Sequence, residues 1–139
     1  MAKLDLVAQK IATARVRLKA ADEFFTRPVE EFLDNERDRD LATFYLFLAI
    51  QECIDIAAHW VADAGWGAPE DAGGAFEILT DKGVIDRELA RGLRGATGLR
   101  NRIAHGYMSI EPERMHAEYQ KGTEIMRRFL AAVADSAGM

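Results

Sequence analysis

Between residues 98 and 110 the chain reads GLRNRIAHGYMSI, and four side chains in it carry groups that could act together. Arg100 is a permanent cation suited to an anion. His105, five positions on, is of the residue type that gives and takes a proton near neutral pH. Asn101 and Tyr107 add hydrogen-bonding groups beside them. A cation and an imidazole within about one and a half helical turns suit proton transfer at an anionic centre. Each also has an ordinary reading: a histidine in solvent, an asparagine on a helix face, a tyrosine in a core.

The element that must position them is a helix running from Asp86 to about Tyr107. At about 100° per residue, Ile85, Leu89, Leu93, Ala96, Ile103 and Tyr107 fall in one band, the core face. Arg87, Arg91, Arg94, Arg102 and His105 gather on the opposite side, with Asn101 at its edge, as a basic stripe leading to the histidine. Arg100 breaks the division by falling on the apolar band. A guanidinium there requires an anionic partner, a water-filled cleft or a subunit boundary. Arg100 and His105 lie about 140° apart on an ideal helix, so they meet on one substrate only if the helix is distorted, the arginine wraps round, or two chains contribute. Gly92, Gly95, Gly98 and Gly106 would permit distortion or close helix approach.

Periodicity of 3.6 residues predicts four further helices and no strand, hence an all-α fold. The first spans Lys3 to Phe25 with Leu4, Val7, Ile11, Ala14 and Leu18 on one stripe. Pro28 marks a break or a new first turn. The second, Arg37 to Ala64, is apolar nearly all round and is expected at the centre; its uncharged run from Leu41 to Gln51 is too short to span a bilayer. A loop-like stretch, GWGAPEDAGG, leads to a short helix over Ala75 to Thr80 that ends near Gly83, with Asp86 capping the next. The last begins at Glu111-Pro112 and buries Met115, Tyr119, Met126, Phe129 and Val133.

At 139 residues, 49% of them hydrophobic and 29% charged, the chain is the size of one folded domain, residues 1–139. Cys53 is the only cysteine, which fits a reducing, cytoplasmic setting and precludes an internal disulfide or thiolate metal cluster. No signal peptide or membrane role is indicated. The net charge of −5 conceals an asymmetry. Lys82, Arg87, Arg91, Arg94, Arg100 and Arg102, against Asp86 and Glu88, give residues 82–105 a net +4, leaving −9 on the other 115. A basic segment in an acidic protein is a candidate surface for an anion such as a phosphate backbone.

The octapeptide RNRIAHGY, Arg100 to Tyr107, resembles the R-N-x-x-x-H-x-Y signature of HEPN-domain toxins from pairs of a HEPN protein and a minimal nucleotidyltransferase (MNT). The similarity extends beyond the octapeptide, from IQECIDIAAHW in the second helix through the motif to SIEPE at the start of the last. It implies an up-and-down bundle of four to five helices that dimerises and acts as a metal-independent endoribonuclease, the toxin of a type VII-like pair. Arg100 and His105 then take the place of the motif's invariant pair, and Asn101 that of the polar residue after the arginine. Tyr107 takes the place of the tyrosine to which the nucleotidyltransferase antitoxin attaches AMP. RNA would be the substrate, with Arg87, Arg91, Arg94 and Arg102 on flanking phosphates. Leu99 and Gly106 depart from the family's commoner residues at those positions.

In that setting His105 would move protons at the 2′-hydroxyl or the leaving 5′-oxygen, and Arg100 would hold the phosphorane's charge. Other constellations read as structural. Asp55, His59 and Asp63 fall short of a ligand shell, His116 reads as part of a solvated face, and Trp60 and Trp66 as packing residues. No cofactor or metal is expected. The alternative to a ribonuclease is a non-catalytic regulatory or substrate-binding subunit of a nucleotidyltransferase, and behind it a dimeric helical scaffold.

Overall fold

Asn35 and Asp86 start two of the helices by the same device, a side-chain oxygen accepting a backbone N–H three residues on. Asn35 Oδ1 accepts from Asp38 N at 3.1 Å, and Asp86 Oδ1 accepts from Leu89 N at 2.7 Å. The computed structural model describes residues 4–106 and 110–138. Within them lie six helices: α1 Leu4–Phe25, α2 Val29–Asp34, α3 Glu36–Asp63, α4 Gly74–Asp81, α5 Arg87–Gly106 and α6 Pro112–Ser136. The all-α expectation holds, and the five expected helices lie within one or two residues of their predicted bounds. The addition is α2, for which Pro28 supplies the new first turn.

Helix ends follow from local chemistry. Gly83, at φ 78°, closes α4 in a Schellman motif: its N–H reaches Thr80 O, and that of Val84 reaches Leu79 O at 2.9 Å. Pro112 occupies the first turn of α6, where its missing N–H costs nothing.

Cross-helix contacts set the topology. Lys10 pairs with Glu52 and Phe24 stacks on Tyr45, so α1 and α3 run antiparallel. Phe25 stacks on Tyr119 at 4.1 Å, and the His116 ring nitrogen lies 2.7 Å from Arg27 O, so α6 also opposes α1. Arg128 meets Glu88 and Gly92 meets Ile125, so α5 opposes α6. The four long helices thus form an up-and-down bundle, with α4 closing the end where α3 stops. Val7, Ile11, Ala14 and Leu18 are buried as the α1 stripe requires, as are Met115, Tyr119, Met126, Phe129 and Val133 of α6. Helix α3 is long and apolar enough to cross a membrane by length and composition, yet Leu46, Ala49, Ile50, Cys53, Ile56 and Ala57 lie inside the bundle.

His116 departs from expectation. It is half-buried, bonded to the Arg27 carbonyl and tilted against Phe32 with ring centroids 5.1 Å apart. The added helix α2 brings Phe32 over a face of α6 that would otherwise meet water.

Candidate active site

Helix α5 enters the bundle at Asp86 and buries Leu89, Ala90, Leu93 and Thr97. Thr97 is accommodated there because its hydroxyl donates to Leu93 O at 2.9 Å, within its own helix. The buried face is therefore turned slightly from the predicted band: Ala90 and Thr97 lie inside, whereas Ala96 and Ile103 are half-buried. Small side chains carry little periodic signal, which is why the sequence placed the face off-centre.

Arg100 follows Leu93 by seven positions and Thr97 by three, so it continues this inward face. It is half-buried, and its Nε is shielded from solvent without a hydrogen-bond partner. Among the described residues no ion pair involves it, whereas Arg27, Arg94, Arg114, Arg127 and Arg128 each meet a carboxylate. A shielded donor without an acceptor costs roughly 1 to 3 kcal/mol, more when charged.

Beyond Arg100 the helix runs out of its cover. Asn101, Arg102, Ala104, His105 and Gly106 are exposed, Ala104 included although it stands one turn beyond Arg100 on the same side. The antiparallel course places this end beside the starts of α3 and α6. Exposed apolar side chains lie there too: Leu41 and Phe44, in the second and third turns of α3, are 39% and 53% accessible.

Helix α5 is continuous from Arg87 to Gly106, so its glycines do not bend Arg100 toward His105. Within one chain the two groups face different directions, and the described residues show no hydrogen bond from Asn101 to His105. Tyr107 lies outside the described residues.

The basic stripe is exposed as expected, but it divides. Arg87, Arg91 and Arg94 line a shallow groove of about 420 Å³ against Glu77, Thr80 and Asp81 of α4, and Arg94 is paired with Glu77. Arg102 instead lines a cleft of about 550 Å³ between α3, α5 and α6, floored by Leu46, Ile50, Leu99 and Met115. Sequence reasoning missed this cleft. The signal available was the unburdened surface of Gly95 and Gly122, which line it.

The other singled-out residues serve the fold. Asp55 is held by Lys10 at 3.7 Å and Gln51 at 2.9 Å, and among the described residues no group of three or more His, Cys, Asp or Glu is placed to hold a metal ion. Trp60 is buried, and Trp66 packs at the edge of the core with the Lys82 ammonium 5.5 Å from its ring centroid. Cys53 is sealed inside α3, where burial, and secondarily the charge of Glu52, push its thiol far above the ordinary range. Burial and the hydrogen bond to Asp22 likewise raise Tyr119.

The bundle is that of the helical HEPN toxins. A tri-AMPylated HEPN toxin of Shewanella oneidensis, solved in complex with an MNT antitoxin, matches 94% of this chain and 98% of its own with a TM-score of 0.87 at 24% identity. A toxin-antitoxin crystal structure with AMP-PNP matches with the same TM-score of 0.87 and the same coverage, 94% and 98%, at 23% identity. A protein of Archaeoglobus fulgidus, provisionally named an RNase, is 36% identical over 93 residues, 66% of this chain and 70% of that protein. The ribonuclease HepT-like family model matches residues 15–133. The chain belongs to the ribonuclease HepT-like family.

Proposed function

We propose that this protein is the toxin of a HEPN/MNT pair, an endoribonuclease that cuts RNA without a metal and works as a homodimer. The observation that carries the reading is Arg100, a half-buried cation whose shielded Nε has no acceptor among the described residues, on the helix whose open end presents His105. Exposed Leu41 and Phe44 at the same end supply apolar surface for a second protomer.

In such a dimer two copies of α5 bring their ends to one cleft. One His105 takes the proton from the 2′-hydroxyl as that oxygen attacks phosphorus, and the partner's His105 protonates the departing 5′-oxygen. Arg100 holds the charge on the phosphorane. The products are a 2′,3′-cyclic phosphate and a 5′-hydroxyl. Exposed Asn101 contacts the strand or orients an imidazole in the assembled cleft, while Arg87, Arg91 and Arg102 hold flanking phosphates. Arg94 joins them once released from Glu77. The relatives solved as toxin-antitoxin complexes, one of them AMPylated, support a nucleotidyltransferase partner that silences the chain by AMP transfer to Tyr107.

The test is the purified chain, free of any partner, incubated with single-stranded RNA in chelator. Cleavage is expected and is lost in His105→Ala with helix content unchanged. Full activity in that variant would sink the reading. AMP transfer is checked by a mass shift in multiples of AMP that disappears in Tyr107→Phe.

A further inference from the structure

We infer that the cleft between α5 and α6 is a base-binding subsite: it takes one nucleobase of a single-stranded RNA and sets the sequence preference at a nucleotide flanking the cut. The inference rests on the ribonuclease reading above and adds to it a determinant of which RNA is cut.

The shape of the cleft comes from glycine. Helices α5 and α6 touch at Gly92 and Ile125, and the cleft extends from that contact to Arg102 and Ile110. Gly95 and Gly122 line it, and a Cβ on either would meet nothing within 4 Å. Two helices walled by bare backbone leave room for a flat ring, and about 550 Å³ lies within the range of small-ligand sites. Leu46, Ile50 and Met115 supply an apolar floor that takes the ring out of water.

The rim indicates what the ring is attached to. Arg114 is paired with Glu118 at 3.2 Å, but Arg102 and Lys121 enter no ion pair among the described residues, against one uncommitted carboxylate, Glu111. The rim thus has a surplus of free cations in a chain of net charge −5, the complement of a polyanion rather than of an apolar peptide. RNA is commonly read in this way, with an unstacked base held in a pocket and its phosphates at the rim. Arg102 also lies two residues from Arg100 and three from His105, about 3 to 4.5 Å along the helix axis. A phosphate at the last turn and a base in the cleft are therefore neighbours on one strand.

Two experiments with the whole chain decide the matter. In the first, a non-cleavable 2′-O-methyl oligonucleotide carries an abasic site moved one position at a time, and binding to the wild-type protein is measured. One position is expected to weaken binding about ten-fold or more; equal affinity at all positions overturns the inference. In the second, Gly122→Leu and Gly95→Leu fill the cleft from its walls. Folded variants are expected to lose the same ten-fold and to flatten the preference at one flanking nucleotide in cleavage of a randomised RNA pool. Unchanged binding and an unchanged cleavage profile overturn the inference. So does loss of nucleotidyltransferase binding with RNA binding intact, which would assign the cleft to a protein. If the wild-type chain cuts no RNA, the ribonuclease reading fails by itself and the abasic series still decides whether the cleft holds a base.

Discussion

Gly92 lies so close to Ile125 that a Cβ on the glycine would stand 2.6 Å from the isoleucine Cδ1 and 3.0 Å from its Cγ2. This contact fixes how near α5 and α6 come, and so where the cleft beside it begins. Gly92→Ala is expected to destabilise the fold: overpacking costs roughly 1 to 3 kcal/mol, offset by about 1 kcal/mol of helix propensity. Gly95→Ala, with open space around it, should stabilise by up to about 1 kcal/mol. Urea midpoints compare the two. Ile125→Val in the Gly92→Ala background should recover part of the loss, and no recovery would mean that the contact does not set the spacing.

Arg100 should be expensive for the isolated chain and necessary for its work. Replacing it with methionine, similar in reach and without a donor, is expected to leave thermal stability unchanged or raised by about 1 kcal/mol, because the unsatisfied group is gone. RNA cleavage should disappear. A large loss of stability would instead reveal a partner that the cation has within its own chain.

Alkaline pH should weaken the fold through Cys53 and Tyr119. Both hold their protons more tightly when folded, so the unfolded chain releases them first, and stability falls as pH climbs through the ordinary thiol and phenol ranges, about 8.5 and 10. Urea unfolding between pH 7 and pH 10.5 measures the slope, and Cys53→Ala should remove its earlier part. The same burial predicts that a thiol reagent labels native Cys53 only as fast as the chain opens; rapid labelling at pH 8 would refute it.

His116 fastens α2 to α6. His116→Ala removes the bond to the Arg27 carbonyl and the contact with Phe32, at a cost of roughly 1 to 2 kcal/mol. Amide exchange should quicken in Val29–Asp34 before it does elsewhere; a uniform increase would show that α2 is not the element held.

The long helices were legible because their apolar residues are large and repeat at 3.6: Val7, Ile11 and Leu18 in α1, Met126, Phe129 and Val133 in α6. Caps were legible at Asp86 and Pro112 because the chemistry there is local. Helix α2 was not, since six residues carry less than two turns of pattern. The shielding of Arg100 could be suspected from its angle alone, because a charge on an apolar band is a conflict that a sequence can display. The cleft could not be foreseen: a groove depends on how two helices are spaced, and periodicity describes only one helix at a time. The division of the basic stripe escaped for the same reason, because whether an arginine faces α4 or α6 is decided by neighbours distant in sequence.

The shielded Nε of Arg100 ties the chain's lifetime to its company. Whatever supplies an acceptor there, a phosphate or a group on another protomer, recovers free energy that the solitary molecule forgoes, and by linkage the accompanied form is harder to unfold. Cleavage by proteases follows the population of opened chains. Turnover is then expected to fall first on chains whose Arg100 has met no acceptor, so that the group left unpaired among the described residues would mark the unoccupied molecule for removal.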